Sequence, residues 1–329
     1  MKSVDIGWLK AFVEKNSLFG GSRYDAQLIA FLEKYYNVED IFPKKLPNNI
    51  VLNRISQLYK LARISSKKDL FIRGIYSTIT LDIDRTEGKN LLLFYHLDPS
   101  ATRSPMFNNI LNKFFYRNLR LLDEIVVISK YWKGHFNKLG FKNIDIAYCG
   151  FDLKNYDISD GEVEEFKEEN GLGDKPIIYM GNCQKNKGVV EIYNQLKNRD
   201  FTLVTSGKRK VNLPARNFEL SYRDYLKLLK SADIVIGMDK FNTGWSITLH
   251  EAMLLKRPVI GSNMGALPEL LSGGGQIICN DFKDLNKLVD KALEKSKKMS
   301  STGYKYAKRF TIKRFEKTWK EIIENTLGK

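Results

Sequence analysis

The residue types best placed for chemistry lie in 241–271, FNTGWSITLHEAMLLKRPVIGSNMGALPELL. A turn bearing Asn242, Thr243 and Gly244 leads into a helix that carries Glu251. Lys256, Arg257 and Pro258 break that helix, and Val259 and Ile260 make a short strand. A second loop, 261–265, then opens another helix over 266–271. Two loop-to-helix junctions this close would gather free backbone N–H groups and two positive helix ends around one cleft. That is a site for an anion, and phosphate is its usual occupant. The same glycines would also serve an ordinary helix–strand–helix unit of a doubly wound sheet, so spacing alone leaves both readings open.

Charge points toward an anionic partner. The 329 residues carry 54 Lys and Arg against 38 Asp and Glu, a net charge of +16, with the excess in both halves rather than in a tail. Such a field suits nucleic acid, anionic headgroups or diphosphates. No helix-turn-helix, zinc-finger or RNP-like pattern accompanies it, so nucleic acid is not expected as a partner. Cys149, Cys183 and Cys279 are scattered and odd in number, which disfavours a disulfide framework or a zinc site. No apolar run reaches the roughly 18 residues of a membrane helix, and the N-terminal MKSVDIGWLKAFVEK lacks a secretory pattern. The expected location is cytoplasmic.

The elements that must position the 241–271 stretch alternate between strand and helix patterns. A strand near 4–12 precedes Gly20, Gly21 and a helix for which Ser22 suits the N-cap. A helix over 49–65 follows, then strands at 70–72 and 91–95, the second ending at His96. Ligands of open α/β sheets sit beyond the carboxyl ends of strands. His96 is therefore a candidate, although a histidine at a strand end is often a loop hydrogen-bonder. Asp98 and Arg103 share its loop. Residues 107–121 form a helix with Lys113, Arg117 and Arg120 off its apolar side, a pattern that suits a sheet-covering helix or a membrane surface. Strands at 125–128 and 144–147, a polar stretch at 153–174, a buried strand at 177–180 and further strands at 201–205 and 232–237 continue the series. Helices are expected over 222–229, 285–293 and 311–327, and the whole reads as α/β with parallel sheets.

GWSITLHEAMLLKRPVIGSNMGALPELL resembles the donor-binding segment of retaining glycosyltransferases of family 4, the group 1 transferases. Gly244, Glu251, Ala252, Met253, Pro258, Val259, Ile260, Ser262, Gly265 and Glu269 fall in register, while Thr243 stands where the family has a glutamate. GNCQKNKG resembles the family's G-R-x-x-x-x-K-G element at Gly181, Lys187 and Gly188, with Asn182 in place of arginine. Strand, Ser129, helix, Gly140, strand and Gly150-Phe151-Asp152 resemble the close of the family's first domain.

The resemblance implies a GT-B fold: two Rossmann-like doubly wound domains facing across a cleft. The expected divisions are 1–152 for the acceptor side, 153–174 as connector, 175–305 for the nucleotide sugar, and 306–329 as a helix crossing back to the first domain. It implies transfer of a sugar from a nucleotide-diphospho-sugar to a hydroxyl of a glycan or lipid-linked glycan, with retention of configuration. No cofactor or metal is required, so positive side chains and helix N-termini do the neutralising. The implied catalytic positions are His96, Lys187 and Thr243, and Asp239, at the end of the 232–237 strand, is the candidate stand-in for the glutamate that Thr243 replaces. The implied donor contacts are Gly20 and Gly21 from the first domain and Gly181, Asn182, Lys187, Gly207, Arg209, Gly244, Trp245, Ser246 and Glu251 from the second. His96, Asp98 and Arg103 face the acceptor. A basic first domain is consistent with peripheral contact at the inner face of a membrane. Thr243 and Asn182 leave a second expectation standing: a protein that binds a nucleotide sugar without turning it over.

Overall fold

The computed structural model describes residues 4–10, 20–43, 50–97 and 105–328. The chain divides into two compact units: Met1–Tyr148 with Lys313–Lys329, and Cys149–Ile312.

Unit 1 runs β1 (Asp5–Leu9), α1 (Gly20–Tyr35), β2 (Asn37–Asp40), α2 (Ile50–Leu61), β3 (Ser65–Arg73), α3 (Ile75–Ile79), β4 (Arg85–Phe94), α4 (Pro105–Asn118), β5 (Glu124–Val127), α5 (Lys130–Lys138) and β6 (Ile144–Ile146). Its six-stranded sheet has the order β2-β1-β3-β4-β5-β6, with every pairing parallel. Alternation along a strand decides which helices cover which face. Leu92 and Phe94 of β4, with Ile125 and Val127 of β5, pack under α3, α4 and α5 through Ile79, Leu111, Phe115, Trp132 and Phe136. Leu58 of α2 joins the same cluster. One buried ion pair stiffens this unit: Arg73 meets Asp84 at 2.8 Å and also donates to Asn90 and to the Ser77 carbonyl.

Unit 2 runs α6 (Asp160–Glu169), β7 (Ile177–Asn182), α7 (Val189–Leu196), β8 (Thr202–Ser206), β9 (Arg216–Phe218), α8 (Tyr222–Ser231), β10 (Ile234–Gly237), α9 (Ile247–Leu254), β11 (Val259–Ser262), α10 (Leu267–Gly273), β12 (Ile277–Cys279), α11 (Leu285–Glu294) and α12 (Ser296–Ala307). Its order is β12-β11-β10-β7-β8-β9, again wholly parallel. Ile178, Met180, Ile234, Ile236 and Ile260 fill the core on one side, against Val189, Ile192 and Val289. The last helix, α13 (Ile312–Leu327), belongs to unit 1 from Lys313 onward. Trp319 donates its indole N–H to the Tyr24 hydroxyl at 3.0 Å, and Tyr24 in turn donates to the Ala147 carbonyl at 2.8 Å. Buried Phe315 closes edge-on against the same tyrosine, which fixes α13 to α1.

Several expectations need correction. Ser22 is not a cap: α1 has already begun at Gly20, and Ser22 is buried inside it. The stretch 153–174 is not a bare connector. It contains a 3-10 turn, Leu153–Tyr156, and α6, which opens with a capping box between Ser159 and Glu162. Arg223 of α8 pairs with Glu162 at 2.6 Å, so this segment is part of unit 2. The chain accordingly changes unit after Tyr148 and again after Ile312, rather than at 152 and 306. The strands β9 and β12, three residues each, are too short for a periodicity to register. The helix α12 hides its buried stripe in Met299, Gly303 and Ala307, two of them small because Met253 and Gln276 approach closely at Gly303.

Candidate functional site

In unit 2 the chain lays down β7, β8 and β9 toward one edge, then returns to the far side of β7 for β10. The strand order reverses between β7 and β10, and ligands of open α/β sheets bind beyond the carboxyl ends of the strands at such a reversal. Lys187 follows β7 and Asp239 follows β10, and they meet there, Nζ to Oδ1 at 2.9 Å. The Asp239 side chain is only 6% exposed while that of Lys187 is 31% exposed, so the carboxylate is held and the ammonium is reachable. The Phe241 ring lies 5.1 Å from Nζ. Lys240 N–H donates to the Asn186 carbonyl at 2.9 Å, which ties the two loops together beside the pair.

Gly188 makes this approach feasible. It sits at φ +72° as the N-cap of α7, and a Cβ there would stand 2.5 Å from the Met238 carbonyl oxygen. Only glycine satisfies both the left-handed backbone and the contact. The loop before α9 is fixed by a comparable closure. Gly265 has φ +58°, and a Cβ on it would come within 2.4 Å of the Thr243 carbonyl oxygen.

At the second loop-to-helix junction three of the N–H groups expected to be free are engaged within the loop. Gly265 donates to Asn242 Oδ1, Ala266 to the Thr243 carbonyl, and Leu267 to the Met264 carbonyl. The 241–266 region thus knots itself together. At the first junction Ser246 caps α9 by accepting from Leu249 N–H at 3.3 Å. Thr243 is buried.

Glu251 lies on α9, 1% exposed, and its Oε1 accepts from the hydroxyls of Tyr222 at 2.7 Å and Tyr156 at 3.1 Å. Those two hydroxyls are 3.2 Å apart. The sequence reading named Glu251 and missed both tyrosines, because neither falls in the motif that singles the glutamate out. Trp245 turns inward: it is buried, and its indole N–H donates to His250 Nδ1 at 3.2 Å. That bond leaves Nε2 as the protonated nitrogen facing the Ala307 carbonyl at 3.1 Å. His250 stacks on Phe151 at 4.0 Å, and burial pulls its pKa down to about 3. This anchor of the site loop was also missed, since ITLHEAML reads as a plain apolar helix.

Asn182 ends β7, and its Oδ1 accepts from Ser206 at 3.3 Å. Gly181 and Gly207 take φ +97° and +74° at the ends of β7 and β8. Arg209 points its guanidinium back to the Ala215 carbonyl at 3.3 Å. Gly244 completes the turn before Trp245.

His96, Gly20 and Gly21 belong to unit 1, at the carboxyl edge of its sheet. His96 lies two residues past β4, and a Cβ on Gly21 would touch the Tyr95 ring at 3.4 Å. Beside them Asp25 of α1 accepts from Tyr95 and pairs with Lys10, which follows β1. Burial pushes the Asp25 carboxyl up and the Lys10 ammonium down, each opposed by the attraction of its partner. Asp98 and Arg103 lie outside the described residues. Among the described residues, no group of three or more His, Cys, Asp or Glu side chains is gathered as a metal ion would need.

Residues 161–309 match the family model described as glycosyl transferases group 1. No curated protein sequence matches the chain. Among solved structures it is similar to sucrose-phosphate synthase (tll1590) from Thermosynechococcus elongatus, with a TM-score of 0.78 at 13% identity over 99% of each chain. It is similar also to Anabaena Alr3699/HepE in complex with UDP-glucose, with a TM-score of 0.72 at 14% identity over 98% of this chain and 100% of that one. WaaG, a glycosyltransferase involved in lipopolysaccharide biosynthesis, gives a TM-score of 0.67 at 13% identity over 97% and 99%. At these identities the likeness is one of fold, and the fold is GT-B.

Proposed function

From the match of residues 161–309 to the group 1 glycosyltransferase model and from the GT-B fold, we propose that the chain moves a sugar from a nucleotide-diphospho-sugar to an acceptor hydroxyl with retention of anomeric configuration. The acceptor class is a glycan or lipid-linked glycan. The observation that carries the reading is the Lys187–Asp239 pair at the reversal of the unit 2 sheet, a held carboxylate presenting a reachable ammonium where an anionic ligand would lie.

In this reading the bond from the anomeric carbon to the β-phosphate oxygen breaks as the acceptor oxygen bonds to that carbon. The hydroxyl proton passes to an oxygen of the departing diphosphate. Lys187 offsets the charge growing there, and the capped N-terminus of α9 adds positive potential. Gly181, Asn182, Gly207, Arg209 and Gly244 belong to the donor side, with Glu251 taking the ribose through the network that Tyr156 and Tyr222 organise. In unit 1, His96 serves the acceptor. Trp245 acts through His250, as a brace for the loop. Because Lys187 supplies the neutralising charge, a chelator leaves the rate unchanged.

UDP-sugars head the panel to test, since the HepE structure is described with UDP-glucose. Thermal shifts with UDP-, GDP-, ADP- and dTDP-sugars identify the donor, because a ligand of the folded state raises the melting temperature. Lys187→Ala is expected to lower kcat by about 100-fold or more with a smaller change in KM. An unchanged kcat would remove the reading.

A second reading, binding without turnover, is favoured by Thr243 and Asn182, uncharged where the family pattern carries glutamate and arginine. Tight donor binding with no release of nucleoside diphosphate in any acceptor extract would select it.

A further inference from the structure

We infer that the outer face of the helix layer formed by α2, α3, α4 and α5 is a seat for an anionic bilayer surface. These four helices cover one face of the unit 1 sheet, because side chains of each pack into the same core cluster. Their outward sides therefore look in one direction. Of the ten large apolar side chains that the described residues expose, eight lie on this layer or in the turns that join it. Ile55 and Tyr59 stand four residues apart on α2, and Ile110 and Phe114 four apart on α4, each pair forming an outward ridge. Ile83 follows α3 and Leu139 follows α5. These six are between 39% and 60% exposed.

The charge of the layer is mostly positive, with Asp82 in the turn after α3 paired to Arg117. The helices α2, α4 and α5 contain no aspartate or glutamate. Their charged side chains are Arg54 and Lys60, then Lys113 and Arg117, then Lys130, Lys133 and Lys138. The helix α13, which packs on α1 instead, mixes Glu316, Glu321 and Glu324 with Lys313, Arg314, Lys317 and Lys320. Cations are also placed against the exposed rings: the Arg117 guanidinium lies 4.7 Å from the Phe114 centroid, and that of Arg63, just past α2, lies 4.8 Å from Tyr59. An aromatic ring with a cation beside it suits the headgroup boundary, where the ring enters the acyl edge and the cation stays with lipid phosphate. A nucleic acid would call for the cations but would gain nothing from Ile55, Ile83, Ile110 and Leu139. The contact is peripheral, since among the described residues no helix is long and apolar enough to cross a membrane.

The test uses the full chain in co-sedimentation with phosphatidylcholine vesicles and with phosphatidylcholine–phosphatidylglycerol vesicles, at low and at high salt. Binding is expected only to the anionic vesicles, and weaker at high salt. Ile110→Ser with Phe114→Ser should lower that binding by about tenfold or more, and Lys113→Glu with Lys138→Glu likewise. All four positions are exposed, so thermal unfolding and any nucleotide-sugar thermal shift should match the unaltered chain. That separates failure of this proposal from failure of the transferase reading. No binding to anionic vesicles at low salt would overturn it. So would unchanged vesicle binding by the serine pair, or binding of duplex RNA that competes with vesicles and depends on the lysines alone.

Discussion

Lys187 and Asp239 come from loops 52 positions apart, yet they meet at 2.9 Å at the end of the unit 2 sheet, where the proposed function puts its anionic ligand. A buried carboxylate without its partner is costly, so the pair also holds the two loops together. Glu251 shows the same economy with neutral partners. Its burial is tolerable because Tyr222 and Tyr156 donate to it. Tyr222→Phe removes one of these donors and leaves the other. The expected loss is about 1–2 kcal/mol in urea unfolding, with donor KM raised more than kcat is lowered. A variant with unaltered stability and unaltered KM would detach the tyrosine from both roles.

At the scale of elements, the site depends on where the chain turns more than on what the helices contain. The helix α7 begins at Gly188, whose φ of +72° and contact with the Met238 carbonyl admit no side chain. Gly188→Ala is expected to destabilise unit 2 by about 2–4 kcal/mol and to lower activity further by displacing Lys187, its neighbour. Chemical denaturation and kcat/KM measured on the same preparation check both parts. In unit 1 the corresponding constraint is Gly21 against Tyr95, which brings the start of α1 to the strand end that carries His96.

At the scale of the whole molecule, stability should depend on acidity through His250. The folded protein holds this imidazole neutral until about pH 3, whereas the unfolded chain protonates it near 6.5. The unfolded state therefore binds the extra proton between these values. The stability His250 contributes is complete above 6.5 and drains away as pH falls toward 3. The slope approaches about 1.4 kcal/mol per pH unit within that window. Denaturation series across it should show this loss, and His250→Gln should flatten it. Parallel curves for the two proteins would mean that other groups govern the acid limb.

The local pattern of the chain determined the alternation of strands and helices and the parallel α/β class, while the resemblance to the group 1 transferases implied the GT-B architecture and the motif positions of Lys187, Gly188, Glu251 and Gly265. Each follows from a nearby sequence pattern or from a run of residues in register. The tertiary structure alone decided which groups meet. Tyr156, Tyr222 and Glu251 are scattered over 95 positions, and His250 reaches across to Phe151 and Ala307. Sheet order placed Asp239 against Lys187, and the same folding brought Lys10 to Asp25 and Tyr95. The side on which α2, α4 and α5 lie also came from topology: each helix alone reads as basic and amphipathic, and only their shared face makes a surface. Local propensity acts over a few residues along the chain, while burial, ion pairing and exposure are properties of neighbours in space.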